Sequence, residues 1–154
     1  MNWEQIMELR DAGMAIGSHG LHHEILTELK GDKIRVELAE SKDRLEYHLK
    51  VAVDSFSVPR GFYDQKVLDL AKEAGYKRVF VSDPDAHDTA GFILGRVAVK
   101  GSWSLARFEQ ALRREVPYTE QIFDGLKGTV KQLLGGKNYD AVRGKLLSKG
   151  KKAR

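Results

Sequence analysis

Apolar residues recur along this chain with two different periods. Trp3, Ile6, Met7 and Leu9 keep helical spacing behind Asn2, a residue able to cap a helix start. Asp11-Ala12-Gly13 ends that pattern, with Gly13 suited to a left-handed C-terminal position. The next apolar run, Met14-Ala15-Ile16-Gly17, is too short for a helix and predicts a buried strand. Residues 18–24 are polar and histidine-rich, which reads as a loop. Residues 32–50 predict a long helix with Ile34, Leu38, Leu45 and Leu49 broadly on one face. Residues 51–58 predict a second strand, halted by Pro59 and Gly61. Asp64 then caps a helix carrying Val67, Leu68, Leu70 and Ala71, which ends at Ala74-Gly75. Residues 76–81 predict a third strand and residues 92–99 a fourth. Trp103-Ser104 opens a helix to about Glu115, broken by Pro117. Residues 119–134 and 139–147 predict two amphipathic helices joined by Gly135-Gly136-Lys137-Asn138, and the tail 148–154 predicts disorder.

Strand–helix alternation of this kind predicts an α/β architecture with parallel strands. In such folds the reactive groups gather in loops after the C-terminal ends of strands, here 18–26, 57–64 and 82–91. The chain has 154 residues, the size of one domain, and is 42% hydrophobic and 31% charged, enough to build a core and too apolar for gross disorder. No apolar run approaches the roughly 18–20 residues of a membrane helix. The formal charge of +4 is modest, and much of the surplus lies between Lys137 and Arg154 rather than on one face. The absence of cysteine excludes disulfides, zinc ribbons and cysteine nucleophiles. Residues 1–10 carry no signal-peptide pattern, so the cytoplasm is the expected location, or the cell envelope if an upstream segment is missing.

The candidate chemistry lies in Ser18-His19-Gly20-Leu21-His22-His23, which holds three of the five histidines. In a helical turn, the four-residue spacing of His19 and His23 puts two imidazoles on one face, where both can reach one metal. Neutral imidazole suits zinc, cobalt, nickel or iron, and a carboxylate or third histidine must complete such a site. His22 could replace either partner. The same cluster also fits plain surface polarity.

The stretch from Ile16 through Ser18-His19 to His22-His23-Glu24-Ile25-Leu26 resembles the second motif of the polysaccharide deacetylase family. That motif reads apolar-Gly-Ser-His-Thr, two variable residues, then His-Pro, one residue and Leu. His19 and His23 match its histidines, His22 falls on a variable position, and Gly20 and Glu24 replace the usual threonine and proline. The likeness runs on through 40–46, through Phe56-Ser57-Val58-Pro59-Arg60-Gly61-Phe62-Tyr63-Asp64, and through 67–76, and covers about residues 2–110.

The resemblance implies a distorted (β/α) barrel, here partial, with extra C-terminal helices. It also implies metal-dependent hydrolysis of an acetamide on an amino sugar in a polysaccharide or glycolipid. The divalent metal, usually zinc, would be bound by His19, His23 and an aspartate, and a second aspartate would act as general base. Both family aspartates sit in a Thr-Phe-Asp-Asp motif that this sequence lacks, and the family's late Leu-x-His motif has no match either. The chain is therefore expected to be impaired or inactive alone, because loss of a general base costs about 10²–10⁴-fold. The expected organisation is a deacetylase-like domain over 1–116, a helical extension over 117–148 and a basic tail over 149–154. Exposed strand edges predict a homo-oligomer.

Arg60 could hold a carboxylate or acetate, or be a surface arginine in a turn. Asp83, Asp85, His87 and Asp88 could supply substitute ligands, or form a solvated Asp-rich turn. Arg60, Asp83 and His87 are thus the candidate catalytic residues. Trp103 could line a sugar site or pack at a helix start. A separate reading makes the chain a non-catalytic binding or scaffolding module, its basic C-terminal segment resting on anionic membrane or nucleic acid by charge. No specific nucleic-acid partner is expected.

Overall fold

A computed structural model describes residues 1–113 and 115. The chain divides into two compact units, 1–96 and 97–154. The expected boundary at 116/117, the two C-terminal helices and the basic tail fall outside the described residues.

The first unit contains three α-helices, α1 (Trp3–Asp11), α2 (Gly31–Leu49) and α3 (Gln65–Glu73). It also contains three strands, β1 (Ser55–Ser57), β2 (Arg78–Val81) and β3 (Ile93–Gly95). The strands pair in parallel in the order β1-β2-β3, with Phe56 opposite Val79 and Phe80 opposite Leu94. Asn2 and Gln5 form a reciprocal capping box at the start of α1, and the Asp64 carboxylate accepts from Val67 N at the start of α3 (2.8 Å). Among the described residues of the second unit, the α-helix α4 (Leu105–Leu112) is capped by Ser104, and the Arg107 guanidinium lies 4.6 Å from the Trp103 ring. Trp103 therefore packs at a helix start.

Side-chain alternation gives the small sheet two unlike faces. Phe56, Val79 and Val81 are fully buried on one face, in one cluster with Ile34 and Leu38 of α2 and Val67 of α3. Ser55, Ser57 and Phe80 point the other way and are half-buried. With Ala15, Ile16 and His19 they line an open cavity of about 360 Å³.

The strands are shorter than the apolar runs that encode them. Residues 51–58 yield only Ser55–Ser57, and residues 92–99 only Ile93–Gly95. Residues 14–17 are not the buried strand that their composition predicts, since Met14 is 57% exposed. That segment meets β1 at a single parallel bridge between Ser18 and Phe56. Ser18 N donates to Ser55 O (2.9 Å) and Ser57 N to Ser18 O (2.8 Å). A strand needs a hydrogen-bonded partner along its length, and among the described residues Ala15, Ile16 and Gly17 have none. The two segments still approach closely there: a Cβ on Gly17 would stand 3.1 Å from Ser55 O.

Candidate metal site

The histidine loop starts at this bridge, which is what delivers it to the C-terminal end of β1. Ser18 is buried and shares a hydrogen bond with Ser41 of α2 (Oγ to Oγ, 2.8 Å). Ser41 also donates to Leu38 O, as does the Tyr76 hydroxyl, each at 3.0 Å. Burial raises the Tyr76 pKa, so the phenol stays a neutral donor. The loop is therefore tied at its root to α2 and to the start of β2.

His19 and His23 come together, their ring centroids 4.8 Å apart and edge-on at 70°. They do so without a helical turn: Gly20 (φ +82°) and His23 (φ +59°) are both left-handed, which folds the loop back on itself. His19 Nδ1 lies 2.5 Å from Ser57 O. A carbonyl oxygen only accepts, so Nδ1 carries the proton and the Nε2 lone pair is left for another partner. This is the arrangement that orients and polarises a metal-binding imidazole.

His22 is held differently. Its Nδ1 donates to Glu37 Oε1 (2.5 Å), while Glu37 Oε2 accepts from both Leu21 N and His22 N, each at 2.9 Å. Glu37 is buried on α2. Burial alone would raise its pKa, but the donors from His22 and Leu21 outweigh it and hold the carboxyl below its ordinary value of 4.5. The sequence reading missed Glu37. Its signal was its place three residues after Ile34 and four before Ser41, a carboxylate on the buried face of an amphipathic helix.

The remaining candidates lie in two other loops. Arg60 is exposed and left-handed (φ +57°), in the turn that follows Ser57 and Val58. Burial and then the charge of Asp83 raise the Tyr63 pKa, which makes the loops after β1 and β2 neighbours. Within the second loop the polar groups bond backbone of the loop and of the start of β3. Asp83 Oδ1 accepts from Asp85 N (3.1 Å), Asp88 Oδ1 accepts from Phe92 N (2.7 Å), and His87 Nδ1 donates to Asp85 O (2.7 Å). Among the described residues no three His, Asp or Glu side chains gather into a metal-binding group. Hydrogen bonds to backbone hold the loop that carries Asp83, Asp85, His87 and Asp88.

Elsewhere, Lys42 Nζ donates to Glu46 Oε1 (2.7 Å), Val53 N donates to the same oxygen (2.8 Å), and together they lower the Glu46 pKa from 4.5. A carboxyl whose folded pKa lies below its unfolded value stabilises the fold fully above the unfolded value. That contribution is lost as pH falls through the folded one. Urea midpoints measured at neutral pH and stepwise below 4.5 should therefore decline on acidification, and the decline should be shallower in Glu46→Gln.

Comparison with known proteins bears on this geometry. The family model for polysaccharide deacetylase matches residues 1–79. A putative polysaccharide deacetylase of Bacillus subtilis (strain 168), YxkH, is 29% identical over 107 residues, 68% of this chain and 38% of that protein. The peptidoglycan-N-acetylmuramic acid deacetylase PdaA of the same organism is 35% identical over 79 residues, 50% of this chain and 30% of that one. Among solved structures, the Streptococcus pyogenes deacetylase PplD in complex with acetate superposes with a TM-score of 0.67 and 23% identity. That match covers 71% of this chain and 50% of that one. BC0361, a polysaccharide deacetylase from Bacillus cereus, gives 0.65 at 22% identity, over 71% and 36%. These two structures share the fold. The chain spans less than half the length of the two curated relatives and no more than half of these two structures.

Proposed function

Because the chain belongs to the polysaccharide deacetylase family, we propose that it carries the two-histidine part of a metal-dependent site for removing N-acetyl groups from an amino sugar in a polysaccharide or glycolipid. The observation that carries this reading is the edge-on pair of His19 and His23, with His19 Nδ1 fixed on Ser57 O. A catalytic zinc takes three protein ligands and leaves a position open. The two imidazoles fit as donors, and the described residues do not complete the set. When bound, such a metal would polarise the amide carbonyl and acidify a water. What these residues do themselves is hold two nitrogen donors close together at the end of β1.

The open sheet face supports a barrel as the complete fold. Parallel sheets are ordinarily covered on both faces, and a barrel would enclose Ser55, Ser57 and Phe80. The isolated chain should be impaired or inactive, since among the described residues no carboxylate joins the pair in a metal-binding group.

Zinc titration followed by imidazole NMR tests the reading. Zinc should shift the signals of His19 and His23 and leave those of His48 and His87 in place. His19→Ala and His23→Ala should each abolish the response, and acetate release from chitin oligosaccharides should stay at background. An unchanged response in either variant, or shifts confined to the other histidines, would overturn it.

A further inference from the structure

The turn between the two histidines has a support of its own. Residues 20–22 sit over one buried carboxylate, and all three contacts they offer it are hydrogen-bond donors: Leu21 N, His22 N and the His22 ring. Successive backbone N–H groups that converge on one oxygen form an anion-binding concavity, and here the anion belongs to the chain itself. Gly20 makes the approach possible, since a Cβ there would meet Glu37 Oε2 at 3.3 Å and strain a left-handed backbone. Glu37 in turn is fixed by α2, whose Leu38 and Ser41 are buried beside it. The loop therefore has two anchors: the Ser18–Ser41 bond at its root, and Glu37 at the turn between the ligands.

We propose that Glu37 is the positioning residue of the histidine pair. By holding residues 20–22 it sets the separation and relative orientation of the His19 and His23 rings. The charge strengthens this hold, because one oxygen accepts two N–H bonds while the other accepts from an imidazole. An amide of the same shape offers a single acceptor oxygen. It keeps both backbone bonds only by turning its N–H₂ to the ring, whose Nδ1 must then accept in the other tautomer, and every bond loses its charge assistance. The proposal rests on the reading of His19 and His23 as metal donors only for its consequence in affinity, since the ring geometry exists without metal.

The test uses the full chain and the variants Glu37→Gln and Glu37→Ala, with Glu40→Gln on the exposed side of the same helix as control. In the metal-free wild type, nuclear Overhauser contacts should connect the His19 and His23 rings. Glu37→Ala should lose these contacts and Glu37→Gln should weaken them while circular dichroism still reports α2 and α3, and Glu40→Gln should keep them at wild-type strength. Zinc affinity, read from the imidazole shifts, should fall about 10–100-fold in Glu37→Gln, the usual cost of removing a group that orients metal ligands. Wild-type ring contacts in a folded Glu37→Gln chain would overturn the proposal. Should Glu37→Ala fail to fold, the isosteric Gln variant still decides. A wild type that shows the ring contacts but no zinc response would reject the metal reading and leave the role of Glu37 intact.

Discussion

Phe56→Ala should unfold much of the first unit's stability, at a cost of about 3–5 kcal/mol. The side chain is fully buried at the centre of β1, and its ring meets that of Tyr76 at 5.2 Å, tilted by 34°. Truncation removes the transfer energy of a phenyl group and leaves a cavity that two helices and a strand cannot readily collapse into. Against a total stability of about 5–15 kcal/mol for an ordinary domain, that is a large fraction. The damage also reaches the site. Phe56 bridges Ser18, and the next residue, Ser57, offers the carbonyl that fixes His19. Urea denaturation should show a markedly lower midpoint with an unchanged slope. Met14→Ala, at an exposed position, should stay within about 0.5 kcal/mol of wild type. A Phe56→Ala chain as stable as Met14→Ala would contradict the packing described above.

Gly95→Ala should be the other severe substitution, although it adds only one methyl group. A Cβ at position 95 would lie 2.4 Å from Asp83 O and 2.5 Å from Pro84 O. Both are backbone atoms, so no side-chain rotation relieves the clash. Gly95 pairs with Val81 in the sheet, which leaves the 82–91 loop as the part that must move. The expected cost is about 1–3 kcal/mol or more, several degrees of Tm for a unit of this size. Gly101→Ala, which meets nothing within 4 Å, should be nearly neutral. Thermal unfolding compares the two. Limited proteolysis should show faster cleavage within 82–91 in Gly95→Ala alone.

The difference between these glycines marks where sequence reading stops. Local rules place elements well in this chain. Asn2, Asp64 and Ser104 cap the helices they were expected to cap, because a capping side chain bonds a backbone N–H only two or three residues away. The 3.6-residue period of α2 and the strand–helix alternation are likewise written in neighbouring residues, and the alternation implies that the strands run parallel, as they do. The histidine motif is legible as a motif, and its resemblance identifies the family.

Strand ends were less legible, because pairing with a distant partner sets them. Apolar composition at 14–17 could not reveal that only Ser18 finds β1. Nor could spacing reveal how the histidines meet. His19 and His23 face one another through two left-handed residues rather than a helical turn, and their geometry depends on Ser57, 38 positions away from His19. Glu37 lies 15 and 16 positions from the backbone groups it holds. By itself the sequence determined the alternation of helices and strands from α2 to α4, the α/β class, the helix starts and the family. Tertiary structure decided which imidazole nitrogen carries its proton, what buries a carboxylate beneath the loop, and how Asp88 ties the Asp-rich turn to the start of β3. Caps and periods are properties of adjacent residues. A site is made by contacts across the chain, and those exist only once the core has closed around Phe56.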